Sequence, residues 1–177
     1  MKKISPLLLI LVIFTSFTYA QTKEEKKQIK EKLAQEEFES TKKIIDSKMY
    51  VFDATWLTTQ NARRINIMGN INQIEVKSDS TKASLQYFGV VTVSRFSSES
   101  GVNFDDKIED YIVKYNDKKK KIFISYTARN KGEKYDISIT VFKDGSAFVD
   151  LYGTYRNNIT YEGTIEPIII NNKKKKK

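Results

Sequence analysis

Asp105, Asp106, Glu109 and Asp110 make the densest acidic cluster in the chain, and carboxylate oxygens are the ligands that Ca²⁺ takes. Their spacing does not follow the Asp-x-Asp-x-Asp-Gly ladder of an EF-hand loop, so the cluster reads as a solvated turn leading into a strand at Tyr111. Asp53, Asp136, Asp150 and Glu162 offer acid–base chemistry wherever two of them converge. Alternation sets Asp136 and Asp150 opposite the apolar stripes Tyr135/Ile137/Ile139 and Ala147/Val149/Leu151, which turns both carboxylates toward solvent. Arg63 and Arg64, beside Asn61, have the fork geometry that suits a phosphate or carboxylate. A basic doublet in a polar loop reads first as solvated.

The chain contains no histidine and no cysteine. There is therefore no imidazole base, no Ser–His pair, no histidine metal ligand, no thiol nucleophile and no disulfide. The expectation is a protein that is not an enzyme, with no cofactor, no metal and no catalytic residue. What remains in quantity is aromatic: ten Tyr, ten Phe and one Trp, side chains that either fill a core or line an apolar cavity.

The N-terminus carries an export signal. Lys2 and Lys3 form a basic region, Leu7 to Phe14 an apolar one, and Thr18-Tyr19-Ala20 a small-residue cleavage site before Gln21. The apolar stretch is shorter than the roughly 20 residues of a spanning helix. Residues 1–20 are expected to be removed and the product to be periplasmic or secreted, soluble, and not a lipoprotein. Of the formal charge of +9, two lysines lie in the leader and five in the terminal run Lys173–Lys177, so the body carries only +2. That is a poor footprint for nucleic acid, and no nucleic-acid partner is expected. Residues 169–177 read as a disordered lysine-rich tail, in which each lysine contributes up to about 1 kcal/mol beside an anionic membrane surface.

Residues 21–47 are rich in Lys, Glu and Gln, lack Gly and Pro, and place Ile29, Leu33, Phe38 and Ile45 at roughly helical intervals. An amphipathic helix lying on or near the wall of the following domain is expected. From Lys48 the period becomes two. Tyr50 to Trp56, Ile74 to Lys77, Ala83 to Phe88, Tyr111 to Tyr115, Ile122 to Ala128, Tyr135 to Phe142, Ala147 to Tyr152 and Ile159 to Ile165 read as eight strands. Asp144-Gly145 predicts a tight type I′ hairpin turn, and Asn130-Lys131-Gly132 a weaker one. No crossover helix separates the strands, so residues 48–168 are expected to form an antiparallel up-and-down barrel rather than a two-sheet sandwich. The fold class is all-β, about eight strands, preceded by an N-terminal α-helix. The stretch from Gly89 to about Asp110 reads as one long loop, with Val102 to Phe104 its strand-like part.

Trp56 alternates in step with Tyr50, Phe52 and Ala54, which assigns it to the barrel interior. Two functions follow from two states of that interior. An open one binds a small apolar or amphipathic ligand, lined by Trp56, Phe52, Tyr87, Tyr126 and Tyr135, with the Gly89 to Asp110 loop at its mouth. A filled one belongs to an interaction protein of the cell envelope that docks on a protein partner, or on anionic lipid through its lysine tail.

Tyr50-Val51-Phe52-Asp53-Ala54, Tyr87-Phe88-Gly89, Gly101-Val102-Asn103-Phe104, Tyr111-Ile112-Val113, Asp144-Gly145-Ser146-Ala147 and Arg156-Asn157-Asn158-Ile159-Thr160-Tyr161-Glu162-Gly163 occur here in one order. That ordered set resembles the domain of unknown function 4251 family of exported Bacteroidota proteins, over most of the mature chain. The resemblance implies a lipocalin-like barrel behind a signal peptide or lipoprotein signal, and supplies no activity, ligand or catalytic residue. This chain departs from it in lacking a lipobox cysteine and in having Val90-Val91-Thr92-Val93-Ser94 where members are richer in Gly and Tyr.

Overall fold

The computed structural model describes residues 6–93 and 101–169, with side chains from Lys23 onward. The leader's basic residues, part of the predicted long loop and the five-lysine run lie outside the described residues. One helix, α1 (Pro6–Asp46), spans both the apolar leader stretch and the predicted 21–47 helix. Proline is well placed at its first position, where no backbone donor is lost. The helix stops at Lys48, whose φ of 50° leaves the helical region, after Ser47 and Lys48 have donated to Lys43 O and Ile45 O. Of the four apolar residues in the predicted stripe, Phe38 and Ile45 are buried while Ile29 and Leu33 are exposed. Among its described side chains the helix therefore meets the barrel with its C-terminal part, where each buried apolar side chain contributes about 1.5–3 kcal/mol. No helix among the described residues is long and apolar enough to cross a membrane.

Ten strands follow: β1 (Met49–Thr59), β2 (Arg64–Asn66), β3 (Gln73–Lys77), β4 (Ser80–Leu85), β5 (Val102–Lys107), β6 (Glu109–Asn116), β7 (Lys121–Asn130), β8 (Glu133–Phe142), β9 (Ser146–Gly153) and β10 (Ile159–Pro167). Nine of them form one antiparallel sheet in the order β5-β4-β3-β1-β10-β9-β8-β7-β6, with β2 paired to β1. The order is that of an up-and-down meander, closed by the pairing of first strand with last. The two ends of the sheet, β5 and β6, are neighbours in sequence, and contacts across the seam tie β5 and β4 to β7: Arg129 N donates to Asp106 Oδ2 at 3.2 Å, and Thr81 Oγ1 lies 3.3 Å from Tyr126 Oη. The result is a nearly closed barrel whose inward residues, among them Phe52, Ile74, Val76, Ile124, Ile139 and Tyr161, make one continuous core.

Two strands beyond the predicted eight are β2 and β5, and β4 starts and ends earlier than its predicted Ala83 to Phe88. The acidic cluster is accordingly not a solvated turn. Asp105 and Asp106 lie in β5 and Glu109 and Asp110 in β6, with Lys82 near Asp105 and Arg129 Nε 3.3 Å from Glu109. The Asp144-Gly145 turn also differs from expectation. Type I′ needs positive φ at both central residues, and here only Gly145 has it, at 81°. Gly145 N bonds Phe142 O at 3.1 Å, so the loop is the three-residue form with glycine in the left-handed position, and Asp144 accepts from Ser146 N and Oγ. The pair with both φ values positive is Lys131-Gly132, at 49° and 88°, between the paired residues Asn130 and Glu133.

Turns β3–β4, β6–β7 and β8–β9 lie at the same end of the barrel as the start of β1 and the end of β10, and α1 packs there. Thr41 Oγ1 donates to Lys143 O at 2.9 Å, Lys42 pairs with Asp117 at 3.2 Å, and Lys120 donates to Gln35. The opposite end carries the β7–β8 turn, the β9–β10 connection and the segments flanking residues 94–100.

Candidate functional site

Of the five side chains expected to line a ligand cavity, the barrel brings three together. Phe52, Tyr126 and Tyr135 are buried in the common core. Tyr87 lies past the end of β4, half-buried, donating to Val90 O and Asn157 O. The interior around the first three is occupied by other side chains, and the phenols inside it are satisfied. Tyr50 Oη lies 3.2 Å from Tyr111 Oη, and Tyr161 donates to Gln86 O at 2.8 Å. Burial pushes the pKa of Tyr50, Tyr126 and Tyr161 above the usual phenol range, so these groups stay neutral and cannot serve as bases at neutral pH.

Trp56 is the correction. The ladder between β1 and β10 pairs Ala54 with Gly163 but Trp56 with Glu162, so Thr55 is an extra residue and β1 bulges there. A bulge reverses the inward–outward alternation beyond it. Leu57 is therefore the residue that enters the core, and Trp56 is on the outer surface. Gly163 makes the close approach possible: a Cβ there would sit 1.9 Å from Asp53 O. Arg64, expected in a solvated loop, is on β2 with its guanidinium 4.5 Å from the centre of the Trp56 ring and 2.7 Å from Glu162 Oε2.

The bulge places Trp56 in an outward row that crosses six strands. Lys114 pairs with Phe123, Phe123 with Thr140, Thr140 with Phe148, Phe148 with Glu162, and Glu162 with Trp56. Phe148 is 39% exposed and Phe123 41%. Phe142 meets Phe148 edge-on at 5.8 Å and carries Lys121 Nζ 4.7 Å from its own ring centre. A groove of about 260 Å³ opens outward here, lined by Thr55, Phe142, Phe148, Glu162 and Gly163. The signal for these residues is in the sequence: Phe123 between Ile122 and Ile124, and Phe148 between Ala147 and Val149, are large apolar side chains at outward parity.

A second cluster is internal and polar. Glu133 at the start of β8 and Arg156 in the β9–β10 connection have side chains 1% and 0% exposed. Arg156 Nε meets both Glu133 oxygens, at 3.2 and 3.0 Å, and its Nη1 donates to Gly101 O at 2.8 Å. Tyr135 donates to Glu133 Oε2 at 2.7 Å, and the Tyr87 ring lies 5.3 Å from the guanidinium carbon. Burial is the largest single influence and would lower the arginine's pKa, but its hydrogen bonds and charge attraction to Glu133 and Tyr135 together raise it. Burial followed by the Glu133 contact raises that of Tyr135. Arg156 Nη2 is buried with no hydrogen-bond partner, an omission that costs about 1–3 kcal/mol. The pair ties together four segments at the end opposite α1. Its one sequence signal is a glutamate that shares the inward parity of Tyr135 and Ile137.

The family model for the domain of unknown function DUF4251 matches residues 32–165. The chain belongs to the DUF4251 family. A solved structure of a DUF4251 family protein from Bacteroides eggerthii superposes with a TM-score of 0.61 at 18% sequence identity, covering 74% of this chain and 87% of that one. At that identity the likeness is one of fold. No curated protein matches the sequence. The DUF4251 match begins where α1 starts to touch the barrel and ends inside β10. It includes Glu133, Arg156 and the whole aromatic row, and it omits the exposed helical stretch 23–31.

Proposed function

We propose that this DUF4251 protein is an exported, non-enzymatic interaction protein of the cell envelope that presents the outer aromatic face of β7–β10 and β1 to a protein partner. The observation that carries the reading is the division of aromatics: Phe52, Tyr126, Tyr135 and Tyr161 are packed inside, while Phe142 and Phe148 line an outward groove and Phe123 and Trp56 share the outward row of Phe148. Exposed aromatics with a cation on their faces and a polar rim are what interface centres are made of. Export is supported by the basic and apolar N-terminal pattern followed by Thr18-Tyr19-Ala20. The lack of histidine and cysteine supports a non-enzymatic role. Carriage of a small apolar ligand has less support, since Phe52, Tyr126 and Tyr135 are packed into the core and Trp56 faces outward.

A photo-crosslinking residue in place of Phe148, in cells making the full chain, is expected to give a discrete protein adduct. The same residue in place of Lys82, on the outer side of β4, is expected to give none. Fatty acids and hydrophobic dyes are expected to leave the purified protein's emission unchanged. A saturable ligand response weakened by Phe52→Ala, with no adduct at position 148, would replace docking by carriage.

A further inference from the structure

We infer that the barrel end opposite α1 carries a binding site for a small organic oxyanion, a carboxylate or phosphate monoester borne on a short apolar group, centred on Arg63. The site is separate from the aromatic face and does not rest on it. The Arg63-Arg64 doublet is divided by the start of β2. Arg64 is taken by Glu162 and the Trp56 ring, whereas Arg63 stands in the turn before the strand, exposed and in no ion pair among the described residues. Its backbone is held in place: Thr59 N donates to Arg63 O at 3.0 Å, Arg63 N to Thr59 Oγ1 at 3.3 Å, and Ala62 N, at a φ of 58°, to Thr59 O at 2.9 Å. A guanidinium on a fixed turn offers a planar fork to two oxygens of one group.

Arg63 borders a groove of about 170 Å³ that is lined also by Gln60, Asn61, Phe88, Val90 and Asn157. The far wall is fixed as well: Tyr87 Oη donates to both Val90 O and Asn157 O, and Asn157 N donates to Val90 O at 3.1 Å. The carboxamides of Gln60, Asn61 and Asn157 make no hydrogen bond among the described residues, which leaves their donors to an acceptor from outside. Phe88 and Val90, 53% and 61% exposed, supply the apolar part of the lining. The groove is smaller than the range of about 300–1,000 Å³ that drug-sized ligands occupy, so it suits one ring or a short chain rather than a fatty acyl chain. Its charge balance favours an anion. The three connections that meet here, 60–72, 86–93 and 154–158, contain no aspartate or glutamate. On the strands they join, Glu75, Asp105 and Glu162 each lie beside a lysine or arginine, Asp53, Asp106 and Asp150 accept from Gln73, Arg129 N and Thr160, and Glu166 lies at the α1 end opposite Val51. Buried Glu133 is matched by Arg156. None of these carboxylates lines the groove, where Arg63 is the one charged side chain among the described residues.

Titration of the isotope-labelled full chain with phenylacetate and with phenyl phosphate, followed by NMR, tests this. Saturable shifts are expected at the Arg63 Nε–H and at the side-chain amides of Asn61 and Asn157, and the tighter of the two acids identifies the oxyanion. Phenylacetamide keeps the ring and loses the charge, and is expected to bind at least about tenfold more weakly than phenylacetate. Arg63→Gln is expected to weaken both acids at least about tenfold and to leave phenylacetamide unchanged. Phe88→Ser is expected to weaken phenylacetate and phenylacetamide alike. Arg63 and Phe88 are exposed, so an unchanged melting temperature identifies the loss as one of recognition. Equal binding by Arg63→Gln and the parent protein overturns the inference, as does equal binding of phenylacetamide and phenylacetate, or no saturable shift with either acid. Lys118→Gln, at the α1 end, is expected to bind as the parent does; a loss equal to that of Arg63→Gln means attraction to the whole molecule and overturns the site. Phe148→Ser is expected to bind both acids normally, so failure here leaves the aromatic-face reading standing, and the reverse.

Discussion

The two ends of the barrel are held by opposite physics. At the α1 end, Phe38 and Ile45 supply apolar burial, and the charged contacts around them, Lys42 with Asp117 and Lys143 with Glu37, are open to water. At the other end one pair of charges, Glu133 and Arg156, is removed from water altogether and holds Gly101 and Tyr135 in place by hydrogen bonds. An exposed pair is worth about 0–1 kcal/mol because solvent competes for both partners. A buried pair need not stabilise relative to an apolar substitute, yet losing one member strands the other and costs about 3–5 kcal/mol. The first end tolerates change in its paired charges and the second does not.

Arg156→Met breaks the comparison at its strongest point. It leaves Glu133 buried and unpaired, and the urea midpoint is expected to fall by the equivalent of about 3–5 kcal/mol. Glu133→Gln added to it is expected to restore part of the loss, and a double variant as unstable as the single one would count against a charge-based explanation. A middle-sized effect is expected from Gly145→Val at the α1 end. Its φ of 81° is costly for any residue with a Cβ, and the new carbon would lie 3.3 Å from Ile165 O. A loss of about 1–3 kcal/mol is expected by chemical denaturation, although the site is on a surface turn. Smallest is Lys143→Ala, which removes an exposed partner of Glu37. A change below about 1 kcal/mol that vanishes in high salt is expected. A loss as large as that of Arg156→Met would erase the distinction between the ends.

The parts legible in the sequence are those governed by local alternation. Ile122 to Tyr152 carry clean period-two patterns, and three of the strands they compose are where the pattern places them. β2 is invisible because Arg64-Ile65-Asn66 has no burial of its own and forms only as an addition to β1. β5 is masked by the Ser- and Gly-containing stretch before it, although Val102 and Phe104 alternate correctly. The position of Trp56 depends on a bulge at Thr55, and the residue that permits the close approach there is Gly163, on a strand about a hundred residues later. Parity counted along β1 alone assigns Trp56 inward for that reason. Glu133 and Arg156 are legible only in half: an inward-parity glutamate asks for a cation, but nothing in the order of residues says that a connection between later strands provides it. Phe123 and Phe148 are readable as outward residues strand by strand; that they form one row with Trp56 needs the register.

The ladder joining β1 to β10 sets the order in which the molecule can assemble. Tyr50 pairs with Pro167 and Thr59 with Ile159, so one side of the first strand has no partner until the last has left whatever machine is delivering the chain. Contacts of such sequence separation make folding slow, because the closure entropy is lost before the contacts repay it. During that interval β1 offers an open edge with Tyr50, Phe52 and Leu57 uncovered, a template for pairing with other chains. The protein is thus most vulnerable to misassembly at the moment of its delivery, and whatever shields an emerging β1 governs its yield.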